Sequence, residues 1–170
     1  MNPYLSRILG FLGDRDPLEV WRQTPTKLEA YFRGDSRVAL ASRLEPENSY
    51  GPGKWTAREI LCHLADTELA MGFRIRQTLA EDNHTVQPFD QEAWAERYSG
   101  LTLPLALETF KALRAWNLAL VDGLSNDDLE RTYYHPEREE WESLRMLVRF
   151  VAGHDLNHLA QLEQIAGKPS

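Results

Sequence analysis

The strongest constraint on this chain is the interval at which its apolar residues recur: three and four over long stretches, the period of an α-helix, with no strong run alternating at the period of a strand. The clearest stretch is Leu144, Leu147, Val148, Val151, Leu159, Leu162 and Ile165, which Ser143 can cap and Gly167, with Pro169 beyond it, can stop. Leu107, Phe110, Leu113, Leu120 and Leu124 mark a second, from about Leu103 to Leu124. Thr56-Ala57-Arg58-Glu59 reads as a capping box opening a third, which runs to about Glu81. Asp16-Pro17-Leu18-Glu19 places an N-cap before a proline at the first helical position, so a fourth starts there and runs towards Gly34, with Pro25 a candidate kink. Helices of this kind bury their stripes against one another, which predicts an all-α four-helix bundle.

The intervening pieces fit that frame. Arg37 to Leu44 is expected to continue helical packing before the Pro- and Gly-rich loop Glu45 to Gly53. Asp82 to Thr102 reads as a long crossover connection with one helical turn around Gln91 to Glu96. Ser125 can cap a short turn through Leu129, and Thr132 to Trp141 is expected to be an irregular segment or a small hairpin before the last helix. At 170 residues and 42% hydrophobic, residues 1–170 are expected to form one domain with its core over about 16–167.

Charge and cysteine content narrow the functional classes. A net charge of −7 with no Lys/Arg stripe argues against nucleic acid and anionic membranes as partners. The apolar stretch Ile8 to Leu12 is too short for a signal segment or a membrane span, so a cytoplasmic protein is expected. Cys62 is the sole cysteine, which excludes an internal disulfide and a cysteine-built zinc site within one chain. Any metal must rest on His, Asp or Glu.

The last helix carries Gly153-His154-Asp155-Leu156-Asn157-His158, with two histidines one turn apart in core-facing slots of the stripe. Two readings are open: core histidines satisfied by hydrogen bonds, or two imidazoles sharing one ion. A third ligand is available in His63, at the edge of the apolar stripe of the helix that starts at Thr56. Thr67 and Ala70, further along that edge, are small and would leave room for a ligand above a metal with open positions. The zincin pattern fits poorly, because Asp155 is a methylene too short and no third ligand follows downstream; paired Glu-x-x-His motifs for a di-iron site are absent. His84 is expected at the surface and His135 in a packing or pocket-rim role. Glu59 is expected to serve the capping box rather than to orient His63. Glu68 falls in an apolar row and needs a partner such as Arg74, Arg114 or a tyrosine hydroxyl, and Asn117 is expected to bond into the same interior.

These residues also carry a family resemblance. Lys54 to Glu59, Leu61 to Glu68 and Gly153 to Gln161 resemble the DinB-like superfamily, close to its YfiT-like members, and so do Leu79 to Asn83, Phe89 to Trp94 and Tyr134 to Arg138. The resemblance spans roughly Asp16 to Gly167 and implies a four-helix bundle with one divalent metal ion on His63, His154 and His158. It implies nickel or zinc foremost, with manganese, iron or cobalt as further candidates. It also implies a small-molecule thiol and an electrophile as partners, transferred by a metal-dependent S-transferase. A metal-dependent hydrolase on the same three histidines, and a non-catalytic metal- or ligand-binding homodimer, are the alternatives. For a base near the metal, Asp155 and Glu68 are the candidates.

Overall fold

The computed structural model describes residues 2–32, 44–45 and 47–167. The helical piece expected over Arg37 to Leu44 lies, apart from Leu44, outside the described residues. The first helix, α1 (Pro3–Leu12), is not among the four expected from the sequence: the Asn2 side chain accepts from the Tyr4 amide at 2.8 Å, Pro3 takes the first position, and Leu5, Ile8 and Leu12 are buried. The core therefore begins well before residue 16.

The other elements follow the local signals. Asp16 Oδ1 accepts from the Leu18 amide at 2.7 Å to open α2 (Pro17–Phe32), inside which Pro25 sits without ending it. The capping box forms at α3 (Ala57–Ala80), with Glu59 Oε2 accepting from the Thr56 amide at 2.7 Å. Asp90 caps the short α4 (Gln91–Ala95), which a 3₁₀ turn at Tyr98–Gly100 follows. Then come α5 (Leu103–Val121) and the single turn α6 (Asn126–Leu129). The segment before the last helix is a hairpin of β1 (Thr132–His135) and β2 (Glu140–Ser143), in antiparallel register from Thr132 against Ser143 to His135 against Glu140. Ser143 then caps α7 (Leu144–Ala166).

Four helices close a ring in which α3 touches α5 and α7, and α2 touches α5 and α7. Their contacts fix the directions. Arg58 reaches the Leu101 carbonyl just before α5, Glu68 meets Arg114, and Arg76 meets Asn117, so α3 and α5 run parallel. Lys111 pairs with Glu29 and Arg22 with Asp122, so α2 runs against α5. Trp21 donates to the Val148 carbonyl and Thr24 to Asp155, so α2 and α7 are parallel. Parallel neighbours need a long return, which residues 81–102 supply for α3 and α5.

That return is anchored where sequence alone suggested a free loop. The His84 carbonyl accepts from the Tyr134 amide at 3.0 Å and the Val86 amide donates to the Tyr134 carbonyl at 3.1 Å, which adds a short parallel bridge to β1. His84 is thereby drawn under the hairpin, beside Thr78 and Tyr133, and is buried rather than at the surface. Among the described residues no helix is long and apolar enough to cross a membrane.

A close approach of α1 to α7 lies one residue from the histidine pair. A Cβ on Gly153 would stand 2.3 Å from the Ile8 carbonyl oxygen of α1. Backbone cannot yield as a side-chain tip does, so Gly153→Ala must push α1 off α7 and is expected to cost about 1–3 kcal/mol. A urea titration of the variant checks this; an unchanged midpoint would contradict the packing.

Candidate metal centre

Because α3 runs against α7, His63 near the start of one helix meets His154 and His158 in the middle of the other. His154 Nε2 lies 3.0 Å from His63 Nε2 and 3.1 Å from His158 Nε2. One ligand atom from each histidine lies within 4.8 Å of the other two, and this is the group of potential ligands found among the described residues. Nitrogens held about 2.1 Å from one cation stand about 3.0–3.4 Å apart, the range seen between these neighbours. Hydrogen bonding among the rings cannot take the cation's place. An imidazole nitrogen carries one proton or one lone pair, so His154 Nε2 can match one neighbour and must leave the other unmatched. A shared cation accepts all three lone pairs.

The surroundings keep the rings in the ligating form. All three are buried, and burial holds His63 and His154 well below the ordinary histidine pKa, with His158 pushing both further down. Burial likewise brings His158 down to about 4. Neutral imidazoles therefore face one another at neutral pH. Gln161, one turn on from His158, sets that ring's tautomer: its Oε1 lies 2.7 Å from His158 Nδ1 and accepts the proton there, which leaves the Nε2 lone pair facing the other histidines. Gln161 Nε2 in turn donates to the Tyr50 hydroxyl at 3.2 Å. Gln161→Leu is expected to weaken metal binding about 10–100-fold with the helical circular-dichroism signal unchanged, measured by competition with a chelator; equal affinity would remove Gln161 from the site.

Trp55, in the loop before α3, walls the rings. Its indole meets His63 edge-on at 4.6 Å between centroids, lies nearly parallel to His158 at 6.1 Å, and donates to Glu92 at 3.0 Å. Trp55 does not stand out as a site residue from spacing, because contacts between separate segments place it; Gln161, three residues after His158 on α7, carries a local signal in that spacing. On the open side of His63 and His154 lies a cavity of about 630 Å³. Its floor is one face of α3, where His63, Thr67, Met71 and Arg74 follow at helical intervals; Tyr4, Phe89, His135, Arg138 and Phe150 form walls. Thr67 thus lines the cavity as its position suggested, with its hydroxyl 3.4 Å from His63 Nε2, whereas Ala70 packs against the core. His135 is a cavity-lining residue and not a ligand.

The two candidate bases are instead bound beneath the histidines. Arg114 of α5 donates to Asp155 at 2.7 and 3.1 Å and to Glu68 Oε1 at 2.7 Å, with the Trp21 carbonyl also accepting at 3.1 Å. Asn117 Nδ2 donates to Glu68 Oε2 at 3.0 Å and to its carbonyl. Arg114, Glu68 and Asp155 each have side chains only 1% exposed. Burial opposes the charge on Arg114, but Asp155 and Glu68 outweigh it and raise its pKa. Burial raises the Asp155 carboxyl above the ordinary carboxylate pKa, and Arg114 offsets only part of that rise. Neither carboxylate lines the cavity; both are held by Arg114 as its counter-ions.

Residues 7–162 match the family model of the DinB superfamily. A protein of Oceanobacillus iheyensis named "Putative metal-dependent hydrolase OB0782" is 32% identical over 120 residues, 70% of this chain and 69% of that one. YfiT of Bacillus subtilis, which bears the same family of name, is 25% identical over 154 residues, 89% of this chain and 85% of its own. The solved structure of YfiT, described as having "an unusual four-helix bundle topology", superposes with a TM-score of 0.77 at 24% identity, covering 88% of this chain and 83% of that one. The shared fold and the extent of the family match agree with the three converging histidines: the chain belongs to the DinB superfamily.

Proposed function

We propose that this bundle is a divalent-metal enzyme, loaded with nickel or zinc, that transfers a low-molecular-weight thiol onto small electrophiles. The observation that carries the reading is the convergence of three neutral Nε2 atoms beside a cavity of about 630 Å³. A divalent ion on these imidazoles supplies Lewis acidity, lowering the pKa of a thiol or a water that meets it. The chain does the rest. His63, His154 and His158 serve as ligands, their buried rings held neutral. Tyr4, Met71, Phe89 and Phe150 give the cavity apolar walls that receive a small electrophile and thin out bulk water. With Glu68 and Asp155 spent on Arg114, a nucleophile that loses its proton on coordination suits the site better than one that needs a carboxylate base.

Metal-dependent hydrolysis is the second reading, favoured by the names its relatives carry. Protein loaded separately with nickel and zinc should consume an electrophile such as monobromobimane faster than buffer when given cysteine, glutathione, bacillithiol or mycothiol, and lose that rate on His63→Ala. No thiol-dependent turnover with any pair overturns the transferase reading. Turnover of esters or amides without a thiol would install the hydrolase in its place.

A further inference from the structure

We infer that Arg74 is the recognition point for a carboxylate on the ligand, at the end of the cavity away from the histidines. The inference rests on the metal-site reading above for the position of the ligand's other end.

The contrast with Arg114 carries the argument. Both guanidinium groups are buried, Arg74 being 7% exposed and Arg114 1%. Arg114 has two carboxylates. Arg74 has none: among the described residues its partners are the Gln87 carbonyl at 2.8 Å, the Met71 sulfur at 3.9 Å and the Phe89 ring at 5.6 Å. One backbone carbonyl and a thioether engage only part of its five N–H donors. Burial accordingly pulls its pKa below the ordinary arginine value. A buried cation with no carboxylate bonded to it is costly to a fold, and this one lines the cavity.

The acids nearby, Glu142 and the cavity-lining Asp90 and Glu137, make no bond to Arg74, although Glu142 and Glu137 favour its charge from a distance. Glu142 accepts from Arg138 at 2.6 and 2.9 Å and from the Tyr133 hydroxyl at 2.8 Å. Asp90 caps α4, and Glu137 is exposed. His135, 3% exposed on the same wall, keeps its Nδ1 buried and unpartnered. A planar anion entering here meets a guanidinium fork whose geometry matches it.

The floor also sets a length. His63, Thr67, Met71 and Arg74 lie on one face of α3, and the contact with Met71 shows the Arg74 head leaning back one turn towards the histidines. About two helical turns, roughly 11 Å, then separate the guanidinium from the level of His63. The ligand is therefore an extended molecule with its reacting atom at the histidines and a carboxylate at the other end, supplied by either the thiol or the acceptor.

Isothermal titration of metal-loaded protein with 8-mercaptooctanoate, 8-mercaptooctanol and octanoate tests this. The carboxylate thiol is expected to bind at least about tenfold more tightly than the alcohol thiol. That preference should vanish in Arg74→Met, with metal content and affinity for the alcohol thiol unchanged. Equal affinity of the two thiols for the unmodified protein, a comparison that needs no variant, overturns the inference, and so does a preference that survives the substitution. If octanoate binds in an Arg74-dependent way while neither thiol gains from its sulfur, the anion subsite stands and the thiol reading falls. Pairing carboxyl- and ester-capped acceptors in the same titration shows which substrate bears the anion.

Discussion

Arg114→Met is expected to lower the unfolding free energy by about 3–5 kcal/mol in a urea titration, enough to threaten a domain whose whole stability is typically about 5–15 kcal/mol. The substitution removes the one cation that Glu68 and Asp155 share and leaves two carboxylates in an interior where each has a side chain only 1% exposed. The lost stacking between the guanidinium and the rings of Trp21 and Phe110, at 4.9 and 4.8 Å, adds to the cost. Adding Glu68→Gln and Asp155→Asn to Arg114→Met should recover part of the loss, since the cost lies in the unpaired charges more than in the absence of the ion pair. A loss of under about 1 kcal/mol in the single variant would mean that the carboxylates take up protons at little cost.

The triad also ties the metal centre to the fold. Glu68 follows Thr67 on α3 and Asp155 follows His154 on α7, so Arg114 of α5 pins together the two helices that carry the histidines.

His154→Ala is expected to weaken metal binding by far more than the roughly 10–100-fold that loss of a supporting partner costs. His154 Nε2 is the nitrogen within 3.1 Å of both of the others, so its removal leaves two imidazoles on separate helices without the ring between them. The effect reads out in stability as well. At a free-metal concentration about 100 times Kd, binding adds about 2.7 kcal/mol to the native protein. In a chain this size that raises Tm by roughly 5–10 °C. The variant should show no such rise while folding as before in the absence of metal. A metal-induced rise equal to that of the unmodified protein would place the ion elsewhere.

Much of this was legible in the residues because the signals are local. Capping boxes and cap residues at Thr56, Ser125 and Ser143, together with the apolar stripes, mark helix positions closely, since an N-cap and its bonded amide lie within three residues. The histidine pair of α7 follows from the same periodicity, and Glu68 in an apolar row demanded the partner that Arg114 provides.

What escaped depends on contacts between distant segments. His84, a loop residue expected at the surface, is buried by pairing of the return segment with β1. Trp55 reaches the histidines only once the bundle has closed. Helical geometry sets the candidate bases off the cavity: successive residues point about 100° apart, so Asp155 does not share the outlook of His154, nor Glu68 that of Thr67. The short α1 carries two signs of its own, the Asn2-Pro3 cap and the apolar stripe Leu5, Ile8 and Leu12 at intervals of three and four; the expectation for this segment rested only on the brief apolar stretch Ile8 to Leu12.

The central claim is that three imidazoles from α3 and α7 hold one divalent ion and leave part of its coordination open. X-ray absorption at the metal edge, on protein purified without a histidine tag and loaded to one ion per chain, tests it most directly. The expected spectrum shows three imidazole nitrogens at about 2.0–2.1 Å with lighter scatterers completing the shell, and loses imidazole scattering in His63→Ala. A shell of oxygen atoms without imidazole, or one unaltered by that substitution, would contradict the account.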